Sequence, residues 1–165
     1  MCLVPDVAKA VNVPLIAAGG IIDGKSMLAA MILGADGVQM GTRFVACKES
    51  SAHENFKNMV LKAKEGDTRL TLKEITPVRM MKNKFFQEVE ELYKTSPSKE
   101  QLLNKLGRGR AKLGMFEGDL EAGELEIGQA SSQINRVFTA QEIVQQIMTE
   151  FNSIKSQMSI ANKFN

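Results

Sequence analysis

The alternation of apolar and polar positions divides the chain into stretches of different texture. From Val13 to Phe44 (VPLIAAGGIIDGKSMLAAMILGADGVQMGTRF) short apolar runs are punctuated by glycines. Val13, Leu15, Ile16, Ala17 and Ala18 make a run of strand length that stops at Gly19 and Gly20. About one βα repeat later, Val38, Gln39 and Met40 lead into Gly41 and Thr42. Both runs read as strands covered on both faces. Between them Asp23 is placed to cap a helix over 24–33, Gly34 closes it in the left-handed conformation, and Ala35-Asp36-Gly37 leads straight into the second strand. Strand, helix, parallel strand is an α/β pattern. Ahead of it, 1–11 (MCLVPDVAKAV) predicts the last turns of a helix, with Pro5 at a tolerated first-turn position and Asn12 as its breaker.

Beyond Phe44 the periodicity changes. Ser51 and Glu54 predict a capping box for an amphipathic helix carrying Phe56, Met59, Val60 and Ala63 and ending at Gly66. Alternation over 67–73 and 76–82 predicts two short strands, and 85–93 and 98–106 predict helices. The stretch 107–128 mixes glycines with charges and predicts a structured loop. Thr139 and Glu142 then predict a second capping box, for a long helix with Ile143, Ile147, Phe151, Ile154 and Met158 in one apolar stripe that needs a sheet or barrel wall to cover. The expected division is an α/β segment over 1–50, a small, mostly helical or α+β subdomain over 51–138, and a closing helix over 139–165.

Composition adds bounds to this picture. With 165 residues, 44% apolar and 24% charged, the chain has enough apolar material for a packed core. A formal charge of +2 is too mild to argue for nucleic acid, and Pro14, Gly19 and Gly20 interrupt the longest apolar run well short of a membrane span. Met1 to Val4 has no basic flank and Pro5 and Asp6 follow at once, so no signal peptide is expected and a soluble cytoplasmic protein is. Cys2 and Cys47 have no metal-ligand spacing and lie among apolar neighbours, which predicts reduced core thiols. The ten methionines read as core filler.

The candidate chemistry lies in the glycine turns. Two parallel strands that both end in glycine bring backbone N–H groups close to an anion with no Cβ in the way, and the helix after the first turn adds its positive end. The expectation is a phosphate clamp. His53, the only histidine, sits in the first turn of a capped helix and reads as structural. Lys105, Arg108, Arg110 and Lys112 form a basic cluster suited to an acidic partner or to nucleotide phosphates. Acidic residues follow directly and no stacking aromatics accompany it, which argues against RNA. No metal site is expected.

The same central stretch resembles the C-terminal βα units of the FMN-dependent TIM-barrel family that contains nitronate monooxygenases (2-nitropropane dioxygenases) and enoyl-ACP reductase II. The resemblance continues through KESSAHENFKNMVLKAKEGDT, TPVRMMKN and FEGDLEAGELEIGQASSQI, so it covers nearly the whole chain. It implies an α/β fold made of the last two strands of a (β/α)8 barrel, the small subdomain, and the closing helix. It also implies that the FMN phosphate is held at the end of strand seven by Gly19 and Gly20, and at the end of strand eight by Gln39, Met40, Gly41 and Thr42. By the same resemblance Gly128, Gln129 and Ser131 are candidate pocket-lining residues where the small domain returns towards the flavin.

The tail, particularly TPVRMMKN, is slightly more similar to enoyl-ACP reductase II, which passes hydride from NAD(P)H through FMN to a 2-enoyl thioester in fatty acid synthesis. The alternative within the family is a nitronate monooxygenase, which oxidises alkyl nitronates with FMN and oxygen. In both, the catalytic histidine lies in the first six βα units, so no catalytic residue is assigned here. A barrel needs eight strands and typically about 250 residues. The expectation is therefore a fragment that is inactive alone, dependent on the missing N-terminal barrel half or a full-length homologue, and aggregation-prone through its bare strand edges. A non-catalytic, phosphate-binding half-barrel is the remaining reading. The resemblance also admits acyl carrier protein as a partner and a homodimer at full length.

Overall fold

The computed structural model describes residues 2–160, so Met1 lies outside the described residues. In chain order the elements are α1 (Leu3–Ala10), β1 (Ile16–Ala18), α2 (Gly24–Ile32), β2 (Gly37–Gln39), the single turn α3 (Thr42–Val45) and α4 (Glu54–Lys62). Then come β3 (Thr68–Thr71), β4 (Val78–Met81), α5 (Lys84–Tyr93), α6 (Lys99–Leu106) and, after two short turns, α7 (Ala140–Ile160). The described residues form two compact units, one of 2–49 with 138–160 and the other of 50–137, and positions 161–165 of the expected closing helix lie outside the described residues.

The first unit is built on the parallel pair β1 and β2, in which Ile16, Ala17 and Ala18 lie opposite Gly37, Val38 and Gln39. Ala17 is buried with Ile21, Ala30 and Ala35, and Val4 of α1 packs on this cluster. Coverage on both faces does not hold for the described chain: Ile16 is 54% exposed and Ala18 is exposed, so β1 buries only its middle residue. Asp36 pins the start of β1 by accepting from the Leu15 N–H at 2.8 Å. The caps at Asp23 and Thr139 form as the sequence predicts. Asp23 accepts from Ser26 N–H at 2.7 Å while Ser26 Oγ accepts from Asp23 N–H at 3.2 Å. Thr139 N–H donates to Glu142 at 2.7 Å and Glu142 N–H donates to the Thr139 hydroxyl at 3.1 Å.

The cover of the α7 stripe differs from the expected sheet or barrel wall. Ile143 and Ile147 pack with Cys47, Met27, Met40 and Phe44, and the stripe lies along α2. Gly24 makes this approach possible, because a Cβ there would sit 2.6 Å from the Ile147 carbonyl oxygen. The large apolar residues of α7 left open are Met158, at the far end of the expected stripe, and the neighbours Val144 (51% exposed) and Met148, which with Val38, Met40 and Phe44 line a groove of about 150 Å³. Cys47 is buried as expected, but Cys2 is exposed, because it precedes α1 rather than packing under it.

The second unit joins the antiparallel hairpin β3–β4 to α4, α5 and α6 around Leu72, Met80, Phe85, Phe86, Val89 and Leu102. The cap of α4 corrects the sequence reading. His53, not Ser51, is the capping residue: its Nδ1 accepts from Asn55 N–H at 3.1 Å, and its own N–H donates to the Met115 carbonyl at 2.7 Å. The stretch 107–128 is more ordered than a loop, with a π-helical turn at Lys112–Phe116 and Gly114 packed against Gly123.

Glu124, only 6% exposed, is the buried carboxyl of this stretch. Burial and the nearby Glu126 carboxylate push it up to about 7, opposed by the Arg110 guanidinium. The unfolded value is near 4.3. The folded state therefore keeps a proton that the unfolded chain releases, and stability falls as pH rises through the window between the two values. Glu124→Gln is expected to flatten that slope and to be more stable than the parent at pH 8, by about 1–2 kcal/mol. Urea denaturation at pH 5 and pH 8 measures it; a parent equally stable at both contradicts the assignment.

Candidate functional site

The two glycine turns leave the same end of the parallel pair, since Ala18 lies directly opposite Gln39 and each strand then runs into glycine. Gly19 and Gly20 both take positive φ, 101° and 72°, which only glycine adopts without strain. Gly41 precedes α3, and its carbonyl accepts from Phe44 and Val45 N–H at 3.0 and 3.1 Å. A Cβ added at Gly19, Gly20 or Gly41 would meet nothing within 4 Å, so these peptides face open space. No side chain packs on them, so their backbone is open to solvent.

The structure places the predicted residues of these turns as follows. Gly19, Gly20, Gln39 and Gly41 are exposed, Thr42 is half-buried at the start of α3, and Met40 turns its side chain into the core beside Phe44 and Ile147. Met40 thus offers only its backbone to the turn. One part of the sequence argument fails. The positive end of α2 is already occupied: Gly24 N–H donates to Glu150 at 2.8 Å, Ser26 N–H donates to Asp23, and Lys25 stands 3.7 Å from Glu150. Two carboxylates at that terminus repel a further anion, so the end of α2 does not contribute to an anion site.

Sequence reasoning passed over Arg43. It follows Thr42, lies 5.5 Å over the Phe138 ring, and pairs with no carboxylate among the described residues. Partial burial lowers its pKa from the ordinary value without removing its charge. An unpaired cation next to the turn favours an anionic ligand there. Its position after Gly-Thr was the available signal.

The other candidates lie in the second unit. Gln129 is exposed, whereas Ser131 is 1% exposed with no hydrogen-bond partner for Oγ, so the 3₁₀ turn Gln129–Gln133 points them apart. Gly128 precedes the turn and its carbonyl accepts from Ser131 N–H at 3.1 Å. His53 is held by its capping and by Gly118, where a Cβ would collide with the imidazole. The basic cluster is largely spent on structure. Lys105 pairs with Glu88 at 2.7 Å and Lys112 with Glu117 at 3.0 Å. Arg110 donates to the Leu106 and Ala122 carbonyls and stacks 4.5 Å over Phe85. Among the described residues no cluster of His, Cys, Asp and Glu suits a metal, and no helix is long and apolar enough to cross a membrane.

A parallel βα pair whose two strands both end in glycine turns is an α/β segment of the barrel type. The sequence model of the nitronate monooxygenase family matches residues 1–150, and the chain belongs to that family. A probable nitronate monooxygenase of Staphylococcus saprophyticus is 33% identical over 162 residues, covering 95% of this chain and 44% of that protein. Among solved structures, FabK from Thermotoga maritima superposes with a TM-score of 0.85 at 36% identity, over 95% of this chain and 50% of its own. Nitroalkane oxidase from Streptomyces ansochromogenes gives 0.73 at 29% identity, over 95% and 44%. The fold is thus the α/β fold of these TIM-barrel enzymes, of which the chain spans about half the length.

Proposed function

We propose that this chain supplies the phosphate end of the FMN site in a nitronate-oxidising flavoenzyme. The observation that carries the reading is the pair of open glycine turns at one end of a parallel strand pair. The backbone of Gly19, Gly20, Gly41 and Thr42 holds the phosphate, with Gln39 and Met40 setting the second turn and Arg43 adding charge beside it. When bound there, FMN would supply the electron-transfer chemistry between nitronate and dioxygen. The residues present bind and orient one end of the cofactor. The described parallel sheet has two strands where a barrel uses eight. The reaction therefore depends on further βα units, and the exposed Ile16 and the groove at Val144 and Met148 are surfaces those units would cover.

The curated relatives carry the name nitronate monooxygenase, which supports this chemistry over the enoyl-ACP reductase reading with NAD(P)H that the tail first suggested. Oxygen uptake with an alkyl nitronate, against NADH oxidation with an enoyl thioester, separates the two when the chain is combined with the complementary barrel segment. The grip itself is tested by Gly41→Val. Gly41 has an ordinary φ of −92° and open space around it, so the fold should be unchanged. FMN affinity, followed by flavin fluorescence, is expected to fall about tenfold or more, the cost of obstructing charge-assisted N–H contacts. Riboflavin, which lacks the phosphate, should bind parent and variant alike. A parent that binds FMN no better than riboflavin overturns the reading.

A further inference from the structure

The second unit contains a cleft of about 520 Å³ that the flavin reading does not use. We propose that it is a binding site for a small phosphorylated ligand, with the anion held between Lys62 and Lys82. Two lysines line the cleft from different elements, Lys62 in the last turn of α4 and Lys82 at the residue after β4. Neither pairs with a carboxylate among the described residues, in contrast to Lys57, Lys94, Lys105 and Lys112 of the same unit, each within 3.1 Å of one. Of the basic cluster, Lys105 and Lys112 are ion-paired and Arg110 is hydrogen-bonded, whereas Lys62 and Lys82 line this cleft.

The walls are fixed before any ligand arrives. Asn83 is 9% exposed and uses both ends of its amide: Nδ2 donates to the Leu120 and Gly123 carbonyls of the opposite wall, each at 2.8 Å, and Oδ1 caps its own helix α5 by accepting from Phe86 N–H at 2.9 Å. Asn55 ties α4 to the same wall through the Gly118 carbonyl at 3.1 Å. Asp119 Oδ1 accepts from Glu121 and Ala122 N–H at 3.0 and 2.9 Å, which rigidifies the loop between these anchors. A preorganised cleft loses little entropy on binding. Its lining also states what else the ligand carries. Met59 and Leu120 offer apolar surface, while Glu121, which has no ion pair, and the exposed Asn58 suit hydroxyl or amine groups. A phosphate ester on a hydroxylated or aminated small molecule matches that set.

The experiment is a titration of the full chain with pyrophosphate at constant ionic strength, read by amide chemical shifts. Saturable shifts are expected at Asn58, Lys62, Lys82 and Leu120. In the double variant Lys62→Gln, Lys82→Gln the affinity should fall about tenfold or more, since each lost ammonium removes a charge-assisted contact. Lys105→Gln, which disrupts a structural pair, should leave it unchanged. Both cleft lysines are exposed, so the double variant is expected to fold, and its far-UV spectrum checks this. Shifts confined to Gly19, Gly20 and Gly41 would overturn the cleft while supporting the glycine cradle. Shifts that never saturate, or that survive the double variant, also overturn it.

Discussion

Gly24→Ala is expected to destabilise the first unit by about 3 kcal/mol, or roughly 10 °C in melting temperature. At an exposed helix start the same change would be favourable, because alanine is the better helix former by about 1 kcal/mol. Here the sign reverses. The new Cβ would lie 2.6 Å from the Ile147 carbonyl oxygen and 2.9 Å from the Glu150 carbonyl carbon, and closest of all to Phe151 N, which are backbone atoms of α7 that cannot rotate aside. Relief requires α7 to withdraw, which lengthens the 2.8 Å bond from Gly24 N–H to Glu150 and uncovers Ile147 and Phe151. Thermal denaturation gives the magnitude, and hydrogen exchange of α7 amides gives the location. A variant as stable as the parent would show that α7 does not dock on α2 through this glycine.

The docking has a consequence for the candidate site. Glu150 reaches the N-terminus of α2 from 126 residues away and, with Asp23, fills the end of the helix that local pattern alone assigns to an anion. Loss of α7 therefore removes Glu150 from that terminus, where Asp23 remains as the cap, and also removes the support of Met40 and Phe44 behind the second glycine turn. The second glycine turn and the closing helix are coupled through packing.

This contrast separates what the sequence discloses from what it conceals. The glycine turns, the parallel pair and the caps at Asp23 and Thr139 are legible, because each depends on residues within one turn or one repeat. The cap at Ser51 is misread since two candidate acceptors lie two residues apart, and the contacts that select His53 come from Met115 and Gly118. Long-range partners hide the rest. Nothing local to Arg110 says that it will stack on Phe85, or that Lys62 and Lys82, 20 residues apart in sequence, will line one cleft. Ser131 likewise reads as a loop hydroxyl near a pocket, whereas packing against α4 turns it inward.

Gly123→Ala is expected to be the most damaging substitution in the second unit, at about 3 kcal/mol or more. A Cβ there would fall 2.5 Å from the Asp119 carbonyl oxygen and 2.5 Å from Gly114 N, and closer still to Gly114 Cα. Gly114 is equally confined, 2.7 Å from Leu125 Cδ2 and 2.8 Å from the Glu124 carbonyl oxygen for its own missing Cβ, so neither segment can yield. Gly109 separates this effect from backbone conformation. It has φ of 74° with nothing within 4 Å, so Gly109→Ala pays only the left-handed strain of about 1–2 kcal/mol. If close packing is the cause, Gly123→Ala should exceed Gly109→Ala in urea denaturation despite having no positive φ to lose. The Gly123 carbonyl also receives the Asn83 amide at 2.8 Å, so displacement of residue 123 loosens the wall formed by Leu120 and Glu121. The Asn83 side-chain amide resonance should shift in Gly123→Ala and stay in place in Gly109→Ala. Equal destabilisation by the two variants, with Asn83 unmoved, would mean that the 114–123 contact does not hold the loop and that the cleft wall is fixed by the Asn55 and Asp119 bonds alone.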